Sequence, residues 1–82
     1  MPIDRPSLIQ ALRDDLRRAG GEIRPDLASD EPFSGLGVDS LTLAEFVARV
    51  EQRFRVAIPD DQWRALGSLD QVADWLEPRL GR

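Results

Sequence analysis

Apolar side chains recur at helical spacing over most of this chain. Leu8, Ile9, Leu12 and Leu16 form one stripe separated by charged residues, which predicts an amphipathic helix over about 6–19. Asp4 or Ser7 can cap its start, and Pro6 fits only its first turn. Gly20-Gly21 supplies the stop, because glycine accepts the left-handed conformation that follows many helices. Leu43, Phe46, Val47, Val50 and Phe54 repeat the pattern and predict a second helix over 40–54, with Asp39 as its N-cap. Pro59 disfavours helix at Ile58 and closes that segment. Asp60-Asp61 opens a short third helix reaching about Leu66, since acidic residues complement the positive end of the dipole. Gly67 breaks it. Ser68 caps a fourth helix whose Leu69, Val72, Ala73, Leu76 and Leu80 share a face, with Pro78 weakening its last turn.

Between the first two helices, residues 20–38 lack this period and contain Pro25, Pro32, Gly35 and Gly37. Loops this long are uncommon inside small domains and often functional. Ile23, Leu27, Phe33 and Leu36 are apolar, so the loop is expected to lie over the core, with a helical turn near 25–28. Val56–Ile58 is a short extended candidate, and no alternating strand pattern is convincing. The expectation is an all-α, single-domain chain over residues 1–82: a small four-helix bundle with a long first loop and a minor third helix. Leu12, Leu16, Phe46, Val50, Phe54 and Leu76 are its expected core.

Composition narrows the chemistry. The 82 residues include no cysteine, histidine or lysine, so disulfides, His/Cys zinc sites, histidine acid–base catalysis and Schiff-base chemistry are excluded within the chain. All eleven basic residues are arginine, and the net charge of −4 argues against nonspecific nucleic-acid binding. No apolar run approaches a membrane span, and the first residues lack the apolar region of a signal peptide; a cytoplasmic monomer is the expectation. Asp60-Asp61 reads as a helix start and not as a metal pair, because no further ligand cluster accompanies it.

The segment Leu36-Gly37-Val38-Asp39-Ser40-Leu41 remains. It sets a serine at the opening of the second helix, directly after a glycine-bearing loop. Unpaired N–H groups and the dipole favour a phosphate there, so a hydroxyl at that place is well situated to carry a phosphodiester. Together with Pro32-Phe33, Glu45, Glu51-x-x-Phe54, Ile58-Pro59-Asp60-Asp61 and the final apolar helix, this segment resembles the acyl carrier proteins of fatty acid and polyketide synthesis and their aminoacyl or peptidyl carrier relatives. The likeness spans roughly residues 6–80. It implies that Ser40 receives 4′-phosphopantetheine from coenzyme A through a separate phosphopantetheinyl transferase, with Asp39 beside it. The thiol ending that arm forms a thioester with the cargo. The carrier itself catalyses nothing; it is a substrate for acyl-loading and acyl-processing enzymes such as synthases, ligases and transferases. Leu41, Glu45, Ala48, Arg49, Gln52, Arg53 and Trp63 are the expected partner-facing residues.

Each of these residues also has a plainer reading. Asp39-Ser40 can be a helix cap alone, Glu45 and Glu51 solvated surface, and Trp75 a packing residue. Departures from the family pattern point away from a housekeeping fatty-acid role. Arg49, Gln52 and Arg53 dilute the acidic second helix, Ala48 stands where a larger apolar residue is common, Arg64 adds positive charge to the third helix, and Gly67-Ser68 replaces a threonine pair. A dedicated pathway, of polyketide type or related, is the expectation. An aminoacyl or peptidyl carrier serving an adenylating enzyme is the near alternative, although Gly37-Val38-Asp39 leans toward the acyl type. An unmodified helical interaction domain is the alternative of another class.

Overall fold

Four helices arise in the order the periodicity predicts. In a computed structural model, which describes residues 4–20 and 23–80, α1 spans Arg5–Gly20, α2 Ser40–Phe54, α3 Asp60–Trp63 and α4 Leu69–Leu80. Asp4 caps α1: its carboxylate accepts from the Ser7 N–H at 3.2 Å, and its carbonyl accepts from Leu8 N–H at 2.9 Å. Ser68 caps α4 through its hydroxyl, which accepts from Gln71 N–H at 3.2 Å. Pro78 lies inside α4 and does not end it before Leu80. Gly21, the second half of the proposed stop, lies outside the described residues.

α3 is shorter than expected. It ends at Trp63, and i→i+3 bonds from Ala65 N–H to Gln62 O and from Leu66 N–H to Trp63 O, each 3.1 Å, carry the chain on to Leu66. The described residues contain no strand. Ile58 donates its N–H to the Glu51 carboxylate at 2.8 Å, which turns the α2–α3 connection back on α2. The long loop is more ordered than its composition suggests. A 3₁₀ turn occupies Phe33–Gly35. Near residues 25–28 a single bond from Leu27 N–H to Arg24 O closes a turn. Two backbone bonds stitch the loop to the α3–α4 junction: Phe33 N–H to Gly67 O at 2.8 Å and Asp70 N–H to Ser29 O at 2.9 Å. Arg13 of α1 holds it from the other side, donating to Leu27 O at 3.0 and 2.8 Å.

The core lies between α1, α2 and α4 and is closed by the loop. Leu12, Leu16, Phe46, Val50 and Leu76 are buried, as the spacing predicts. Phe54 is only half-buried, at the last residue of α2, and packs at the core's edge. Ile23, Leu27 and Phe33 come in from the loop, and the Phe33 ring meets Phe46 edge-on with centroids 6.0 Å apart. Burial of apolar side chains is the main favourable term in a fold this small, and each large residue lost from it costs about 2–5 kcal/mol.

Polar contacts fix how the helices dock. Arg5 at the start of α1 reaches Asp70, Asp74 and Glu77 of α4 at 3.1, 3.0 and 3.0 Å. Asp15 of α1, itself buried, accepts two bonds from Arg53 of α2 at 2.8 and 2.9 Å. At the other end of that interface the C-terminus of α1 presses on the N-terminus of α2. A Cβ at Gly20 would collide with the side chain of Thr42. Thr42 is β-branched and stiff, so this approach requires glycine.

Candidate attachment site at the start of helix 2

Local sequence chemistry builds the site. Gly37 takes φ 72°, a left-handed conformation open to glycine, and delivers the chain to Val38 and Asp39. Asp39 is extended, and its carboxylate accepts the Thr42 N–H at 2.7 Å. That bond holds the Asp39 carboxyl below the usual carboxylate range, so it is ionised at neutral pH. Its own carbonyl accepts from Leu43 N–H at 2.9 Å. Ser40 follows as the first residue of α2. It is exposed, and no side-chain hydrogen bond among the described residues engages its hydroxyl.

Leu41 rises next to it as a ridge, 78% exposed, the one large apolar side chain so exposed among the described residues. A groove lies on either side. One, of about 570 Å³, is lined by Ser40, Leu41, Leu43, Ala44, Trp63 and Arg64. The other, of about 370 Å³, runs between α1 and α2 and contains Arg18, Thr42, Glu45 and Arg49. Both are open surface grooves within the usual size of small-molecule clefts, roughly 300–1,000 Å³, and Ser40 lines only the first. The residues present therefore suit a phosphopantetheine arm: an accessible hydroxyl with a channel of partly apolar lining beginning at it.

The expected partner face divides on inspection. Leu41, Glu45, Ala48 and Gln52 are exposed on one side of α2. Arg49 is half-buried, its Nε 3.3 Å from the Glu45 carboxylate one turn earlier. Arg53 is turned away from this group and committed to Asp15, whose bonds raise the pKa of its guanidinium. Glu51 is likewise used within the chain, as the acceptor for Ile58 N–H. Trp63 is half-buried at the α2–α3 groove, its indole N–H on Asp60 at 3.1 Å. Trp75 packs at the core's edge and donates to Gln62 at 2.7 Å. Arg64 was legible only as added charge; the structure sets its guanidinium 5.5 Å from the Trp63 ring centre and on the Ser40 groove. The signal available in sequence was its place directly after Trp63 in a one-turn helix.

Residues 6–76 match the family model described as the phosphopantetheine attachment site. The chain belongs to the acyl carrier protein family. Its similarity to individual acyl carrier proteins runs nearly end to end. It is 27% identical to the acyl carrier protein of Acidothermus cellulolyticus, covering 93% of this chain and 92% of that one. It is 33% identical to the acyl carrier protein of Amoebophilus asiaticus, over 89% and 88%. Over a shorter stretch, 58% of this chain and 65% of the relative, it is 46% identical to the actinorhodin polyketide synthase acyl carrier protein of Streptomyces coelicolor. An acyl carrier protein is a carrier and not a catalyst, and its cofactor is phosphopantetheine. No helix among the described residues is long and apolar enough to cross a membrane.

Proposed function

We propose that Ser40 carries the 4′-phosphopantetheine and that this acyl carrier protein serves a specialised, polyketide-type pathway as a cytoplasmic monomer. The observation that carries the assignment is the exposed, unengaged hydroxyl of Ser40 at the first position of α2, beside a channel. In the loading step Ser40 Oγ bonds the phosphorus of coenzyme A that bears the pantetheine. The pyrophosphate P–O bond breaks and adenosine bisphosphate leaves. The serine proton goes to a base of the phosphopantetheinyl transferase, because the adjacent Asp39, its pKa lowered by the Thr42 N–H, is a poor base. When bound, the arm supplies a thiol that holds an acyl group as a thioester at high local concentration. The chain contributes position: Leu41 and the exposed side of α2 meet the transferase and the acyl-loading and acyl-processing enzymes.

Two features support the specialised pathway. A relative 46% identical over 58% of this chain is named for a polyketide synthase. The exposed side of α2 mixes Leu41, Glu45, Ala48, Arg49 and Gln52, where a uniformly acidic face would suit basic docking patches. Incubation with coenzyme A and a broad-specificity transferase is expected to add one phosphopantetheinyl mass to the wild-type chain and none to Ser40→Ala. Mass gain in the variant, or none in the wild type with a demonstrably active transferase, would sink the assignment.

A further inference from the structure

We infer that Arg64 holds the phosphodiester formed at Ser40 and thereby fastens α3 across the root of the arm; this rests on Ser40 being the attachment site. Ser40 and Arg64 line the same groove, the serine from the first turn of α2 and the arginine from the residue that ends α3. Among the described residues Arg64 takes part in no ion pair, and it is the arginine that lines the groove containing Ser40. Its guanidinium carbon lies 5.5 Å from the Trp63 ring centroid, and no side-chain hydrogen bond among the described residues engages it, so its donors are available to an acceptor.

The charge balance at the site calls for such a cation. Asp39 is ionised next to Ser40, so esterification adds a second anion to a first. Like charges at this range repel, and an arginine offers the two-pronged donor pattern that matches phosphate oxygens. The groove on the other side of Leu41 also carries arginines, Arg18 and the Glu45-paired Arg49, but Ser40 does not line it. Leu41, Leu43, Ala44 and Trp63 supply apolar walls for the methyl-bearing part of the arm next to the phosphate. α3 is a single turn, tied to α4 through one side-chain bond, Gln62 to Trp75, so an added anchor shifts its opening measurably.

The test uses apo and modified forms of the wild type, Arg64→Gln and Arg64→Lys, with intact mass confirming each modification. Nitrogen-labelled samples report the Arg64 Nε–Hε resonance, phosphorus NMR reports the diester, and hydrogen exchange reports the amides of residues 62–66. Modification of the wild type is expected to shift both resonances and to slow exchange in 62–66 about two- to fivefold, the scale of one exposed charge pair. Arg64→Gln abolishes the difference between modified and apo forms while its apo form exchanges like apo wild type. Arg64→Lys, with a point charge and no fork, restores part of it. Equal exchange and an unshifted Nε in a confirmed modified wild type overturn the inference and leave the attachment reading intact. A loss of protection in apo Arg64→Gln as large as in its modified form also overturns it, by showing a structural role alone. Absence of mass gain overturns the attachment reading and this inference with it.

Discussion

Asp15 has 3% of its surface exposed, and both its oxygens accept from Arg53. A buried carboxylate left without its cation costs about 3–5 kcal/mol, but the Arg53 side chain is 38% exposed and water screens part of the pair. Arg53→Ala is therefore expected to lower stability by about 1–3 kcal/mol in a urea titration, and Arg53→Glu by more, because it sets a second carboxylate against Asp15. Asp15→Ala combined with Arg53→Ala is expected to cost less than the sum of the single changes; simple additivity would show that the two residues act independently. On helical spacing alone Arg53 belongs to the solvent-facing arc of α2. Spacing gives an angle around one helix and cannot register a carboxylate on another, so this residue's commitment was not readable from the sequence. The same limit hid the role of Gly20. Its sequence context says helix stop, whereas the structure shows a close approach to Thr42 that excludes any side chain.

At the scale of elements, α1, α2 and α4 were legible almost to the residue, since each has both a strong apolar period and a capping side chain. α3 and the 3₁₀ turn were not. Four residues contain too few positions for a period, and tertiary contacts set their ends. The caps also give α2 a pH signature. Asp39 has a lowered pKa because it accepts the Thr42 N–H in the folded chain. Its contribution is complete above the ordinary carboxylate range and is lost as pH falls through its lowered folded-state value. Asp39→Ala is expected to melt below wild type at neutral pH. The gap should stay constant down to that range and then close on further acidification. A gap that persists unchanged in strong acid would assign the effect to something other than the ionised cap.

For the whole molecule, the face around Ser40 is where stability and function are expected to separate. Leu41 is 78% exposed, so Leu41→Asp is expected to move stability by no more than about 0.5 kcal/mol. It should nevertheless slow acyl transfer to the native partner about five- to thirtyfold, as loss of an apolar anchor does. Arg49→Glu, which puts like charge next to Glu45, is the charge probe of the same face, and Arg53 is unsuited to it. Its expected effect is a change in the salt dependence of transfer, measured with a common acyl load. If both variants match wild type at low and moderate salt, the partner face lies elsewhere.

The two backbone bonds that stitch the loop to the α3–α4 junction, Phe33 to Gly67 and Asp70 to Ser29, join residues far apart along the chain. Closing such long-range contacts has an entropic cost that local helix formation does not. They are expected to be the seams along which the molecule opens first. The Phe33 and Asp70 amides are expected to exchange through partial opening, well ahead of Leu12 and Val50, which await global unfolding. The loop that leads to Ser40 is thus expected to detach and re-dock many times within one folded lifetime, while α2, which begins at Ser40, stays folded beneath it.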